Sequence, residues 1–259
     1  MTTPPQAADE TSPRAAEAGR VVLVTGGSRG IGEACVRWFL RRGDRVAATY
    51  RTAEPPGAPT GAGPGTYLAV RCDVTDAGQV DQAFRTVEEA WGPVEVLVAN
   101  AGITKDTLVL RMDDASWQEV IDTNLTGAFL VVKRALSKML RLHRGRIVLM
   151  SSAGAFIGLP GQANYAASKA GLVGMARAVA REVASRGITV NVVAPGVVST
   201  DMIAALGESR VDELTAMVPL GRAAVGDDVA EAVGFLASSG AGYITGAVLP
   251  VDGGLGMGL

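Results

Sequence analysis

Tyr165 and Lys169 are four residues apart on a strongly helical pattern, so they share a face with Cβ atoms about 5 to 6 Å apart. A free phenol titrates at about pH 10, and an ammonium held beside it favours the phenolate, which makes the proton easier to give to a developing alkoxide. The pair suits proton donation to a carbonyl oxygen, although the same spacing is common on helices that do no chemistry. Ser152, thirteen residues before Tyr165, follows an apolar run and could donate a second hydrogen bond to that oxygen. Ser151 is its rival on residue type alone. Asn124 falls in mid-helix, a poor place for Asn unless its side chain has a task such as holding a water or kinking the helix.

A second cluster points to a dinucleotide. Thr25-Gly26-Gly27-Ser28-Arg29-Gly30-Ile31-Gly32 follows the first apolar run, and its glycines let the backbone turn tightly and approach a pyrophosphate at a helix N-terminus. The second strand ends Ala48-Thr49-Tyr50-Arg51, with no acid to grip ribose hydroxyls and repel a 2′-phosphate. At an effective dielectric of about 20, exchanging such attraction and repulsion shifts the balance on the order of a few kcal/mol. Arg51 and Arg29 form a candidate clamp for that phosphate, which favours NADPH. Asp73, beside Val74, could bind the adenine amino group or simply serve its own turn. Asn100-Ala101-Gly102 reads as backing for the cofactor or as a helix cap.

The elements that must carry these residues alternate. Strands are predicted at Val21–Val24, Arg45–Tyr50, Tyr67–Arg71, Val94–Ala99, Arg146–Met150, Ile188–Val193 and Ala247–Val251. Between them lie helical patterns at about Ile31–Arg42, Asp76–Trp91, Asp113–Leu142, Ala163–Arg186 and Asp227–Ala237. Short apolar runs alternating with helices imply a parallel seven-stranded sheet covered on both faces, a single doubly wound α/β domain of Rossmann type. Its ligands collect at the carboxyl ends of the strands. Residues 200–218 have no place in the sheet and are the natural substrate lid.

Of the 259 residues, 48% are hydrophobic and 19% charged, enough for one substantial core over residues 20–259. The net charge of −2 excludes nucleic acid or anionic membrane as a broad electrostatic partner. No apolar run approaches the roughly 20 residues of a membrane span. Residues 1–19 read as a disordered tail without a signal peptide. Cys35 and Cys72 have no metal-ligand spacing and suit a reduced, cytoplasmic chain. The single histidine, His143, sits in an Arg- and Gly-rich turn, which argues against a Ser-His-Asp hydrolase.

Taken together, Thr-Gly-x-x-x-Gly-x-Gly, Asn-Ala-Gly, Asn124, Ser152, Tyr165-x-x-x-Lys169 and Pro195-Gly196 resemble the short-chain dehydrogenase/reductase family over Arg20 to Leu259. The resemblance implies a tetrad of Asn124, Ser152, Tyr165 and Lys169. In it Tyr165 is the acid, Ser152 polarises the carbonyl, Lys169 also holds the nicotinamide ribose, and Asn124 keeps a water linking Lys169 to solvent. It also implies that Pro195, Gly196 and Val198 line the nicotinamide and that Thr200 reaches its phosphates or carboxamide. The stretches Gln162–Gly171, Ala180–Gly196 and Gly246–Gly254 resemble the 3-oxoacyl-acyl-carrier-protein reductases of type II fatty-acid synthesis. Gly92–Val98 and Asp252–Gly258 look closest to the subgroup serving long-chain elongation. From that likeness follow an acidic acyl carrier protein as partner, a basic patch beside the site entrance carried by Arg186 and Arg144, and a homotetramer. Other readings are a reductase of the same family acting on acetoacetyl-CoA, a polyketide or a free ketone, and a nucleotide-binding module without turnover.

Overall fold

Seven strands form one sheet in the order β3-β2-β1-β4-β5-β6-β7, every neighbouring pair parallel. The computed structural model describes residues 19–257 apart from 53, 56, 60, 61, 201, 202 and 204–206. Residues 1–18 of the expected tail, and part of the expected lid, lie outside the described residues.

The strands are β1 Val21–Val24, β2 Arg45–Tyr50, β3 Tyr67–Arg71, β4 Val96–Ala99, β5 Gly145–Met150, β6 Ile188–Pro195 and β7 Val248–Val251. The central ones are small and β-branched because both faces are covered: β1, β4 and β6 are buried throughout. Against one face pack α2 (Ala77–Trp91), α4 (Gly127–Leu142) and α6 (Ala163–Val183), through Phe84, Met139 and Leu172 among others. Against the other pack α1 (Gly30–Arg41) and the last helix (Gly226–Leu236), through Trp38, Phe39, Val229 and Leu236. The strand order reverses between β1 and β4, which opens a crevice at their carboxyl ends.

The predicted boundaries differ in instructive places. β6 runs on to Pro195 because Val251 of β7 pairs with it. The helical pattern 113–142 is broken into α3 (Asp114–Ile121), a π-turn over Asp122–Thr126, and α4. The start of α4 is pressed on the turn after β3: a Cβ on Gly127 would stand 2.7 Å from Val74 Cγ2. A short helix, α5 (Gly154–Ile157), precedes α6. Residues Glu208–Ala216, expected only as part of a lid, form α7, and the last helix is therefore α8. Leu214 and Val218 are buried against Val197 with Leu255 packed beside them, so this segment has its own apolar anchor.

Candidate active site

The turn after β1 is built from contacts that only glycine permits. Gly26 and Gly30 hold φ of 63° and 57°, the left-handed region that costs other residues free energy. At Gly32 a Cβ would fall on the Gly26 carbonyl oxygen and 2.6 Å from Asn100 Nδ2. Asn100 caps no helix, since the chain from Asn100 to Leu108 is extended or irregular. Its side chain donates instead to the carbonyls of Thr25 (3.0 Å) and Gly26 (3.1 Å), while its main-chain N–H and that of Ala101 donate to Thr25 Oγ1. Thr49 Oγ1 accepts from the Gly26 N–H. The sequence reading gives Thr25 and Thr49 no role of their own, although hydroxyls at the carboxyl ends of β1 and β2 are the signal that would find one. No side chain caps α1, which leaves its amino end suited to an anion.

Lys169 is buried to 4% exposure, and its Nζ donates to the Met150 carbonyl at 2.8 Å. It stands 5.7 Å from the centre of the Tyr165 ring. Burial alone brings its ammonium down to about 8. The Tyr165 phenol is pushed up, chiefly by burial; hydrogen bonding with Ser152 pulls it back, and the Asp106 carboxylate adds to the rise. The Lys169 ammonium is tied to Met150 beside the Tyr165 ring, and the Ser152 hydroxyl favours the phenolate.

Position separates the two serines. Ser151 is buried and donates to the main-chain oxygen of Lys169 at 2.8 Å, tying α6 to the end of β5. Ser152 Oγ accepts from the Gly154 N–H at 3.1 Å and hydrogen-bonds the Tyr165 hydroxyl, so the two hydroxyls stand together at the cavity. Asn124 sits in the π-turn, 1% exposed. Its Oδ1 accepts from the Ile103 N–H at 2.8 Å, and its Nδ2 donates to the Ile103 carbonyl and to Ser168 Oγ, each at 3.0 Å. Its side chain therefore holds the segment after β4.

One cavity of about 440 Å³ opens at the carboxyl ends of the strands, and Ser152, Tyr165 and Lys169 share it with the glycine turn. Ser28, Arg29 and Ile31 line it from the turn, Arg51 from the end of β2, and Asp73 and Val74 from beyond β3. Asn100, Ala101 and Gly102 form its floor, and Pro195, Gly196, Val198 and Thr200 line it beyond β6. Asn124 lies behind this wall. Asp73 also serves its turn, accepting from the N–H and hydroxyl of Thr75. Close backbone approach is enforced at Gly196, where a Cβ would be 2.7 Å from Asp252 Cα. Glycine backbone at the uncapped N-terminus of α1 fits a dinucleotide.

Arg144 and Arg186 do not border the cavity. They precede β5 and β6, at the amino ends of strands of six and eight residues whose carboxyl ends carry the site, about 20 Å or more away. Arg144 pairs with Glu95, and Arg186 donates toward the His143 ring at 3.2 Å. The expectation of a patch beside the entrance is corrected accordingly, because parallel strands send their two ends to opposite edges of the sheet. Among the described residues no group of three or more potential metal ligands occurs, and no helix is long and apolar enough to cross a membrane.

A doubly wound sheet whose first turn can take a dinucleotide, beside paired hydroxyl donors, defines an oxidoreductase of the dinucleotide-binding α/β class. A family profile described as "Enoyl-(Acyl carrier protein) reductase" matches residues 26–256. The chain is 49% identical over 245 residues to the 3-oxoacyl-[acyl-carrier-protein] reductase MabA of Mycobacterium avium, covering 95% of this chain and 93% of that one. It is 43% identical over 239 residues to the 3-oxoacyl-[acyl-carrier-protein] reductase FabG of Escherichia coli strain K12, covering 92% and 98%. The protein belongs to the short-chain dehydrogenase/reductase family.

Proposed function

We propose that the protein reduces 3-oxoacyl-[acyl-carrier-protein] to the 3-hydroxyacyl thioester with NADPH, in fatty-acid biosynthesis. The observation that carries this reading is the convergence of the Ser152 and Tyr165 hydroxyls on one cavity wall, with the Lys169 ammonium behind them. When bound along the glycine turn, NADPH would supply the hydride for the carbonyl carbon. Ser152 holds the carbonyl oxygen, and Tyr165 gives it the proton that completes the alcohol. Lys169 would hold the nicotinamide ribose and resupply the Tyr165 proton, itself linked to solvent by a water that Asn124 would keep. Arg29 and Arg51 select the 2′-phosphate. Free Cys35 and Cys72 suit a cytoplasmic enzyme, and exposed Phe129 on α4 and Phe235 on α8 suit burial in a homotetramer.

The family description names enoyl reduction, yet the MabA and FabG relatives are named 3-oxoacyl reductases, and two hydroxyls lining one cavity suit a carbonyl oxygen. The test compares acetoacetyl-ACP, acetoacetyl-CoA and crotonyl-ACP with NADPH and with NADH. Preference for acetoacetyl-ACP and NADPH is expected, with a loss of at least about 100-fold in Tyr165→Phe. Equal use of the CoA thioester, or turnover of crotonyl-ACP alone, would overturn the reading.

A further inference from the structure

The segment after β4 is strapped across the entrance to the catalytic helix. At one end Asn124 holds both main-chain groups of Ile103. At the other, the Thr107 N–H donates to the Gly161 carbonyl at 2.9 Å, and the Asn164 side chain, fully buried, donates to the Lys105 carbonyl at 3.1 Å. Between these ties lies Asp106, whose Oδ2 accepts from Gln162 Nε2 at 2.7 Å and whose Oδ1 takes the Thr104 hydroxyl. Gln162 is the N-cap residue of α6 but makes no side-chain cap hydrogen bond to it; its amide nitrogen goes to Asp106.

We propose that Asp106 is a positioning residue for the reduction, fixing the Gln162 amide so that its oxygen faces Ser152 inside the cavity. A carboxylate only accepts hydrogen bonds, so the nitrogen end of the amide must face Asp106 and the oxygen end must face away. The point that a Cβ on Gly154 would occupy lies 3.4 Å from Ser152 Oγ and 3.6 Å from Gln162 Oε1, so both oxygens look into the same small space. An acceptor there repels the substrate's carbonyl oxygen from that side. The oxygen is thereby confined to the side where Ser152 and Tyr165 donate. The charged groups beside the Tyr165 phenol are Lys169 and Asp106, and Lys105 next to Asp106 is paired with Glu119. The Asp106 charge therefore also favours the protonated phenol, the form that can give a proton.

This inference rests on the reduction proposed above, so its test has an arm that needs no substrate. Asp106→Ala is expected to lower kcat on acetoacetyl-ACP about tenfold, with KM and NADPH affinity each changed less than about twofold. Asp106→Glu, which keeps an acceptor-only carboxylate for Gln162, recovers most of the rate, whereas in Asp106→Asn, which loses the charge, the alkaline limb of the kcat/KM profile moves to lower pH. Amide hydrogen exchange across residues 158–165 is expected to quicken in Asp106→Ala and stay near the parent in Asp106→Glu. Parent-like rate and exchange in Asp106→Ala, or no recovery with Glu, overturns the role of Asp106. A parent chain inert on acetoacetyl-ACP overturns the proposed function instead, and the exchange result then decides for or against Asp106.

Discussion

Lys169 holds its ammonium 2.8 Å from the main-chain oxygen of Met150 and 5.7 Å from the centre of the Tyr165 ring. A buried cation with a single carbonyl partner is poorly compensated for its lost hydration. Burial brings it from 10.5 to about 8, so between those values the folded chain binds fewer protons than the unfolded one and stability rises with pH. Below that window the buried charge costs about 3 kcal/mol, at roughly 1.4 kcal/mol per pKa unit. Lys169→Met is therefore expected to be more stable than the parent at about pH 7, with the gap closing toward about pH 10, as read from urea midpoints. Cys35 and Cys72, pushed up to about 12 and about 11, pull stability down above about pH 9 in both proteins. The difference between variant and parent cancels that effect.

The adjacent serines should fail in different ways. Ser152→Ala removes a hydroxyl facing the cavity and is expected to cut kcat about 100-fold with the urea midpoint unchanged. Ser151→Ala leaves the Lys169 carbonyl without its buried donor and is expected to cost about 1 to 3 kcal/mol of stability. A stability loss in Ser152→Ala equal to that of Ser151→Ala would contradict the assignment.

Asn124→Ala breaks three hydrogen bonds at a site 1% exposed and strands both main-chain groups of Ile103. The expected destabilisation is about 2 to 4 kcal/mol, together with faster amide exchange at residues 103–107. Unchanged exchange there would show that the side chain is not what holds the strap.

Arg51→Glu places repulsion where NADPH would carry its extra phosphate. The NADPH-to-NADH ratio of kcat/KM should fall about 10- to 100-fold, with NADH kinetics nearly unmoved. Equal losses with both cofactors would point to a disrupted fold and not to lost phosphate recognition.

Much of this was legible in the residues. The β1, β2 and β3 boundaries are those expected, because short β-branched runs between turn residues obey local rules. The same holds for the glycine turn and for the shared face of Tyr165 and Lys169, where spacing along one element settles geometry. The helical pattern 113–142 was less legible. Its residues suit a helix throughout, and the π-turn that splits it carries the Asn124 contacts across 21 and 44 residues of sequence.

Hydrophobic period and turn chemistry are local, so the residues alone prescribe the sheet, its glycine turn and the set of groups gathered at its carboxyl edge. Packing in three dimensions settles how each of the two serines is used, that Lys169 is tied to Met150, that Asp106 grips Gln162 across 56 residues, and that Arg144 and Arg186 lie at the far edge of the sheet. The first three are hydrogen bonds between elements brought together by packing, and the fourth follows from the parallel sense of the strands. Neither partner of such a contact carries a local mark of the other.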